Sequence, residues 1–309
     1  MHVPVLPGPV VEFLRIRPGG TYVDCTAGYG GHAELLCRQL AGGRLIALDR
    51  DPAAVALVRE RLAPFACAKV IQANYSSLAR VLQEMDVGRV DGILIDAGMS
   101  SMQLDDPQRG FTFQHEGPLD MRQDTTQSAT AIAWLAAVRE QELVRVLREY
   151  GDVRPAQRIA RAIISRRDRR ALNTTFDLRD AVCEALPFVK GVPDELRTVF
   201  QAIRIAVNDE YRHLEDGIRA AIDALSPEGR LVVIAFHSGE DRIVKNIFRD
   251  ESHIRRTTAP DGRVAETAPP RIRVLTPKPV TADGAEIERN PRARSAKLRA
   301  AERLHEEAA

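Results

Sequence analysis

The feature that most constrains the fold is a regular alternation of strand and helix signals over the first hundred residues. Short apolar segments at 22–24, 44–49, 69–73 and 90–96 have the composition of strands, and segments with apolar residues at helical spacing separate them. Parallel strands that are joined by helices form a sheet covered on both faces. The sequence therefore predicts an α/β fold with a mostly parallel sheet.

The alternation stops after residue 100 and returns near residue 207, which predicts an insertion. Helical patterns at 140–148 and 155–167 dominate the intervening segment, and the strongest apolar strand, 230–237, comes after it. The insertion therefore divides one sheet. The predicted organisation is a first part of the sheet domain at 1–105, an inserted all-helical domain at 106–206, a second part of the sheet domain at 207–288 and a basic C-terminal tail at 289–309.

Composition excludes several classes of protein. The chain has 309 residues, of which 44% are hydrophobic and 28% are charged, and this balance is typical of a protein with a large folded core. A formal net charge of +1 excludes a uniformly basic nucleic-acid-binding protein, although not a local basic face. The four cysteines form no C-x-x-C pair, and no apolar run approaches the roughly 20 residues that span a membrane. We expect a cytoplasmic protein with no membrane partner.

A glycine-rich turn follows the first strand and opens a helix. Gly28, Gly30 and Gly31 allow a ligand to approach the backbone closely, and free N–H groups at the start of the helix favour an anionic group. With Ala33 the turn also satisfies the dinucleotide fingerprint, and Asp49 ends the next strand where an acid holds ribose hydroxyls. The turn alone leaves a nicotinamide oxidoreductase, another nucleoside cofactor and an unliganded turn as alternatives.

Three side chains favour S-adenosylmethionine over a nicotinamide. Asp24 lies beside the glycines, where a carboxylate would hold an ammonium group and repel a pyrophosphate. Tyr75 follows the third strand and is placed to cover an adenine ring, while packing on the next helix is its structural alternative. Asp96 ends the fourth strand, at the sheet edge where open α/β folds bind their ligands. We therefore predict S-adenosylmethionine as the cofactor.

Longer motifs make the prediction more specific. They occur in the order GYGGH at 28–32, ALDRDP at 47–52, SSMQLD at 100–105, RGFTF at 109–113, GPLDMR at 117–122, FQAIRIAVNDE at 200–210 and FHSGEDRIVK at 236–245. From near His2 to Arg299 the chain resembles the bacterial 16S ribosomal RNA cytosine-N4 methyltransferase family, the MraW or RsmH type. It departs from the commonest pattern of that family at Ala97, Gln123, Asp152-Val153, Val199-Phe200 and Gly239.

The resemblance implies a class I, Rossmann-like, S-adenosylmethionine-dependent methyltransferase sheet interrupted by a helical substrate domain. It also implies methyl transfer to the exocyclic N4 of a cytosine in 16S rRNA, in the decoding region of the small ribosomal subunit. Together with the chemistry of the turn, it gives the expected cofactor-binding residues as Asp24, Gly28, Gly30, Gly31, His32, Asp49, Tyr75, Asp96 and Gln103. A ribosome-assembly factor that binds the cofactor without transfer is the non-catalytic alternative.

The chemistry of the transfer indicates which residues are catalytic. The lone pair of the cytosine amine is delocalised into the ring, so the amine must be held in line with the methyl group and its hydrogens need acceptors. Asp96 is the predicted acceptor and Ser100 a second one. The alternatives are a purely cofactor-binding role for Asp96 and, for Ser100, a hydroxyl that bonds its own backbone.

Basic residues cluster in the insertion and in the tail, which indicates phosphate contact, with a solvated helix face as the alternative for each arginine. The expected RNA-binding residues are Arg109, Asp120, Arg122, Arg166, Arg167, His237, Arg292 and Arg294. A structural role for His237 is the alternative there. Ser238 and Asp241 fit a cap at the start of the next helix, which argues against a metal site at this position.

Overall fold

A computed structural model describes residues 4–258 and 264–305 of the chain. His2, where the resemblance begins, and positions 306–309 of the predicted tail lie outside the described residues. The chain divides into two compact units. The sheet unit comprises Met1–Gly98 and Tyr211–Ala309, and the helical unit comprises Met99–Glu210.

The strands confirm the predicted α/β fold. They are β1 (Thr21–Asp24), β2 (Arg44–Asp49), β3 (Ala68–Gln72), β4 (Val90–Asp96), β5 (Leu225–Ala235), β6 (Arg255–Thr258), β7 (Val264–Ala268), β8 (Ile272–Val274) and β9 (Lys297–Arg303). Within the described residues, seven of them form one sheet in the order β3-β2-β1-β4-β5-β9-β8, while β6 and β7 pair separately. The first five of the sheet are parallel, and β9 runs antiparallel to both β5 and β8.

The helices are α1 (Pro7–Leu14), α2 (Gly31–Cys37), α3 (Pro52–Leu62), α4 (Leu78–Glu84), α5 (Ser101–Asp105), α6 (Ala131–Ala137), α7 (Glu140–Gly151), α8 (Ala156–Asp168), α9 (Thr175–Ala185), α10 (Glu195–Asn208), α11 (Glu210–Ala224), α12 (Ser238–Glu251) and α13 (Gly284–Arg289). Short 3-10 turns occur at Tyr75–Ser77, Pro107–Arg109 and Pro291–Ser295. Among the described residues, no helix combines the length and the apolar character that crossing a membrane requires.

The sheet is buried on both faces because its central strands are apolar at nearly every position. Successive side chains of a strand point to opposite faces. In β4, Ile93 and Ile95 belong to one hydrophobic cluster and Leu94 to another. Val232 and Val233 of β5 divide between the same two clusters. This pattern is typical of a parallel sheet with helices on both sides, and it leaves the ends of the strands as the accessible edges.

The predicted basic tail needs a correction, because residues 297–303 form β9 inside the sheet. The side chains from Leu298 to Arg303 are buried. Nε of Arg299 lies 2.7 Å from Oδ1 of Asp241 on α12. Long arginine stems bury readily when the charged end has a partner, so this basic segment is a structural strand.

The helical unit has its own core. Helix α7 packs on α10 and α8 packs on α9, and the buried side chains between them include Leu147, Ile163 and Ile203. The unit spans Met99–Glu210, and the insertion that the sequence indicates is 106–206. One isolated bridge, between Pro118 and Thr174, ties the long loop ahead of α6 to the start of α9.

Candidate cofactor and methyl-transfer site

The glycine-rich turn between β1 and α2 adopts a conformation that favours glycine. Gly28 and Gly30 have φ values of +53° and +78°, in the left-handed region that disfavours side chains. A Cβ on Gly30 would also lie 3.0 Å from Cδ of Arg61. Arg61 donates a hydrogen bond of 2.8 Å to a backbone carbonyl of the turn. The turn is therefore held in one shape, and Gly31 begins α2 directly after it.

Asp49 ties this turn to the end of β2. Its Oδ2 accepts a hydrogen bond from the Gly28 N–H at 2.8 Å, and its Oδ1 accepts one from the Asp51 N–H at 2.9 Å. Burial raises the pKa of Asp49 to about 6, although the two N–H groups work in the opposite direction. Each carboxylate oxygen keeps a second lone pair, so Asp49 can accept the two hydroxyls of a ribose.

Asp24, His32 and Asp96 form a buried cluster at the carboxyl edge of the sheet. Asp24 has no exposed surface, and its Oδ1 accepts from the Thr26 N–H at 3.1 Å. The side chain of His32 is 6% exposed, with Nε2 lying 3.6 Å from Oδ2 of Asp96. The backbone N–H of Asp96 donates to Oγ1 of Thr26 at 2.7 Å. Thr26 therefore fixes both acids, a role that nothing in its sequence context indicates.

The cluster contains more polar atoms than it satisfies. Within the described chain, Oδ2 of Asp24, Oδ1 of Asp96 and both ring nitrogens of His32 lack a hydrogen-bond partner. Burial raises the pKa of Asp24 to about 6, and His32 and the Thr26 N–H reduce that effect. For His32, burial disfavours the charged form, but Asp96 and Asp24 outweigh burial and raise its pKa. Buried polar groups without partners are costly, so the cluster is built for a polar ligand.

These residues fit S-adenosylmethionine. The unpaired oxygen of Asp24 suits the ammonium group of its methionine part, and Asp49 suits its ribose. The left-handed glycines keep side chains away from the turn. When bound, this cofactor supplies a methyl group on a positively charged sulfur. A nicotinamide dinucleotide would instead bring a pyrophosphate towards the buried Asp24 carboxyl, which electrostatics disfavour.

His237 has a structural role at the start of α12, which corrects the predicted cap. Its Nδ1 accepts a hydrogen bond of 3.4 Å from the Glu240 N–H, so His237, and not Ser238, is the cap. Its Nε2 lies 3.1 Å from Oε1 of the buried Glu240, whose Oε2 accepts from the Phe236 N–H at 2.8 Å. Asp241 pairs with Arg299. A contact of His237 with the target base stays a prediction.

The departure at Gly239 has a steric reason. A Cβ on Gly239 would collide with the hydroxyl of Tyr211, which occupies that space. The Tyr211 and His237 rings lie 5.9 Å apart, centroid to centroid. The Tyr211 side chain thus fills the space that a side chain at position 239 would need. Asp152, another departure from the family pattern, follows α7 as its C-cap with a φ of +50°.

Ser100 and Gln103 cap a helix in the helical unit. Oγ of Ser100 accepts from the Gln103 N–H at 3.3 Å, while Oε1 of Gln103 accepts from the Ser100 N–H at 3.1 Å. The side-chain amide of Gln103 also donates to the carbonyl of Gln123 at 3.4 Å. The structure therefore favours the alternative for Ser100, a hydroxyl that bonds its own backbone. The predicted cofactor contact of Gln103 is not tested by this geometry.

The predicted RNA-binding residues of the loop ahead of α6 contact one another. Arg109 donates to the carbonyls of Arg122 and Gln123 at 2.8 and 3.1 Å. Arg122 forms a two-bond ion pair with Asp120, at 2.8 and 2.7 Å. These bonds hold the loop in shape, and phosphate contact by either arginine stays a prediction.

Arg166 and Arg167 also have internal partners. Arg166 binds Glu184 at 2.6 Å, and Arg167 donates to the carbonyl of Val138 at 2.8 Å. Both side chains are mostly buried, so the geometry favours a structural role over the phosphate contact that the sequence predicts. Arg292 and Arg294 are exposed, and their RNA contact stays a prediction.

Tyr75 lies at the start of the segment that follows β3, as the sequence indicates. Its ring packs directly against α11, where a Cβ on Gly217 would lie 2.5 Å from Cδ2 of Tyr75. The packing alternative is therefore realised for at least one face of the ring. An adenine contact by the remainder of the ring stays a prediction.

Comparison with known proteins shows which family this chain is similar to. The model of the MraW methylase family matches residues 1–304. A ribosomal RNA small subunit methyltransferase H from Methylococcus capsulatus is 49% identical over 298 residues, which cover 95% of this chain and 98% of the relative. A protein of the same name from Geobacter sulfurreducens is 46% identical, with 98% and 99% covered. A crystal structure of an rRNA methylase from Streptococcus thermophilus aligns with a TM-score of 0.44 at 10% identity, over 97% of this chain and 94% of the other.

The parallel sheet with its antiparallel β9, the glycine-rich turn and the acids at the carboxyl edge define a class I S-adenosylmethionine-dependent methyltransferase. Matched over nearly its whole length, the chain belongs to the MraW methylase family. The family resemblance and the cofactor that the sequence predicts are thereby confirmed.

Proposed function

We propose that this protein transfers the methyl group of S-adenosylmethionine to the exocyclic N4 of a cytosine in 16S rRNA, within the small ribosomal subunit. The names of the full-length relatives support an RNA substrate of that subunit. The reaction would take place in the cytoplasm, where the subunits are assembled. The choice of cytosine N4 rests on the resemblance of the motifs and on the chemistry of the site.

The observation that carries the proposal is the unpaired carboxylate oxygen of Asp96. This Oδ1 is held at the carboxyl end of β4 with no hydrogen-bond partner in the described chain. The bond from its backbone N–H to Thr26 keeps the strand end in place. An oriented carboxylate accepts an N–H hydrogen of an amine, which aligns the nitrogen lone pair with the methyl carbon.

The reaction then needs one proton to leave the amine. Bound S-adenosylmethionine would supply its methyl group to N4 and leave as the neutral thioether, so N4 has to give up one hydrogen as a proton. Asp96 is the acceptor at the required place. His32, with Nε2 at 3.6 Å from Oδ2 of Asp96, stabilises negative charge on that carboxylate when the imidazole is protonated.

Labelled S-adenosylmethionine and small subunits that lack the modification test the proposal. The expected result is incorporation of label into 16S rRNA, at one cytosine whose mass increase maps to N4. Asp96→Asn is the matched variant, because the amide fills the same space but accepts a proton poorly.

Two results would contradict the proposal. Cofactor binding without any transfer to the subunits would favour the non-catalytic assembly factor. Label on another base or on a ribose would exclude cytosine N4 as the target.

A further inference from the structure

The loop between α9 and α10 exposes an unusual amount of apolar surface. Six consecutive residues, 187–192, are all exposed. Phe188 is 86% exposed, Val192 is 65% exposed and Val189 is 43% exposed. A full-size aromatic ring left in water at this level is uncommon in a protein that acts alone, and clustered exposure of this kind marks an interaction site.

The loop has a defined shape. The Val189 N–H donates to the carbonyl of Leu186 at 3.0 Å, which closes a turn with Phe188 inside it. Pro193 is buried at the other end, next to the start of α10. The turn therefore presents the Phe188 ring outwards from two anchored ends.

An arginine from a different helix lies beside the ring. The guanidinium carbon of Arg158, on α8, is 5.6 Å from the centroid of the Phe188 ring. Arg158 forms no ion pair with the described part of the chain and is itself exposed. Lys190, two residues after the phenylalanine, is exposed as well. The surface thus combines a flat apolar ring with cations and with no acid paired to the arginine.

This combination favours single-stranded RNA over an apolar protein surface. A nucleobase stacks on an aromatic ring whatever its identity, and adjacent guanidinium and ammonium groups attract the phosphates that flank it. An apolar protein partner would gain from Phe188 and the two valines but would have to cover the unpaired Arg158.

We propose that Phe188 and Arg158 form a stacking platform that binds an unpaired base of the RNA substrate other than the base that is methylated. The proposal rests on the RNA substrate proposed above. The platform adds affinity and orientation and takes no part in methyl transfer. It assigns to the helical unit an RNA contact that does not depend on Arg166 or Arg167.

Substitutions at Phe188 separate stacking from general apolar contact. Phe188→Ala removes both, Phe188→Leu keeps apolar surface without a ring, and Phe188→Trp keeps a larger ring. Because the side chain is 86% exposed, none of these changes disturbs the core. Ile132→Ala is the matched control, since Ile132 is an exposed apolar residue of the same unit, 37% exposed on α6.

The measurements are binding to a short single-stranded oligoribonucleotide and to unmethylated small subunits. We expect Phe188→Ala and Phe188→Leu to weaken the affinity for each of the two RNAs by about tenfold. Phe188→Trp and the Ile132→Ala control should bind as the wild type does. The fluorescence of Phe188→Trp, after subtraction of the wild-type signal from Trp134, should be quenched when RNA is added. Arg158→Gln should weaken binding less than Phe188→Ala does.

Three results would overturn the platform. Unchanged RNA binding by Phe188→Ala would rule out the platform. Methyl transfer by the wild type in the same experiment would show that the proposed function still stands. If Phe188→Ala loses affinity for subunits but Phe188→Leu keeps it, the surface makes an apolar protein contact. A change of oligomeric state in Phe188→Ala, measured by light scattering, would indicate an interface between copies of this chain.

Discussion

Replacement of Asp24 by asparagine should stabilise the cofactor-free protein and weaken its binding of S-adenosylmethionine. Asp24 is fully buried, and its pKa is raised from an ordinary 3.8 to about 6, mainly by burial. The folded protein therefore holds this proton more tightly than the unfolded chain does. Binding of this proton stabilises the folded protein most at acid pH. The stabilisation falls as the pH rises from about 4 to about 6 and is constant above that range.

The magnitude follows from the same two pKa values. A difference of about two pH units corresponds to about 3 kcal/mol of stability that is absent at neutral pH. Asparagine cannot ionise, and its Oδ1 can still accept from the Thr26 N–H. The new NH₂ group would lie where Oδ2 was and would have no acceptor there, because Oδ2 itself has no partner in the described chain. This loss offsets part of the gain in stability. We expect the free energy of unfolding at pH 7.5 to rise by about 2 kcal/mol.

Urea unfolding without cofactor, at a series of pH values between 4.5 and 8, measures this effect. The difference between variant and wild type should grow as the pH rises and level off above pH 6. Asp49 titrates in the same range with the same sign, so the variant keeps part of the pH dependence. Asp250→Asn is the control, because Asp250 is exposed and its partner is the adjacent Arg249.

Binding should change in the opposite direction. Loss of a charged hydrogen bond to the ammonium group should weaken cofactor affinity by about tenfold or more, as measured by calorimetry. A variant that is no more stable than the wild type at pH 7.5 would refute the reasoning that a buried, unpaired charge lies at position 24. Unchanged affinity would remove Asp24 from the cofactor site.

The remaining predictions concern other parts of the two units. Asp49→Ala should weaken cofactor binding without unfolding the protein, because two ribose hydroxyls lose their acceptor; unchanged affinity in calorimetry would exclude Asp49 from the site. Asp96→Asn should lower the single-turnover rate of methyl transfer by about 100-fold, more than it lowers cofactor affinity, and equal losses would make Asp96 a binding residue only. Arg167→Gln should lower the stability of the helical unit by about 1 kcal/mol in thermal unfolding, because the partly buried carbonyl of Val138 loses its donor, with RNA affinity unchanged. Joint replacement of the exposed Arg169 and Arg170 by glutamine should instead leave stability unchanged and reduce the salt dependence of RNA binding, by a log-log slope of about 0.7 for each phosphate that the variant no longer binds.

Local patterns predicted the parts of this fold that local interactions determine. The strand and helix alternation up to β4 is visible because burial on both faces makes β2 and β4 apolar at nearly every position. Asp51 ahead of Pro52 indicates the start of α3, and Oδ1 of Asp51 indeed accepts from the Ala53 N–H at 3.0 Å. Asp49 and Asp96 end their strands as expected, since a strand that stops at an acid places it at the sheet edge.

Contacts between distant residues could not be predicted in this way. The bond from the Asp96 N–H to Thr26 joins residues 70 positions apart, and a threonine after a strand carries no signal of it. Pro, Glu and Gly at 227–229 are residues typical of a turn, yet the structure includes them in β5 as an irregularity in its pairing with β4. The basic start of β9 is explained by a similar distant contact, because Lys297 and Arg299 both lie against Asp241 of α12.

Charge alone also failed to distinguish solvated arginines from paired ones. Arg166 and Arg167 stand in the same basic run as Arg169 and Arg170, but the first two turn towards acids and carbonyls of their own unit. Helical spacing determines which of them face the core, and only the packing of α8 reveals it. His237 was likewise ambiguous, because histidine is a rare helix cap and its Nδ1 accepts only in one tautomer.

The position of β9 has a consequence for synthesis of the chain. Among the described residues it is the last strand in sequence, yet it lies between β5 and β8. While the chain is being made, β5 has its β4 neighbour but presents an apolar, unpaired edge on the other side until residues 297–303 leave the ribosome. The helical unit, whose residues run continuously from Met99 to Glu210, is complete well before that point. A nascent chain therefore passes through a stage with one finished unit and one aggregation-prone sheet, and a truncation before residue 297 would hold the protein permanently at that stage.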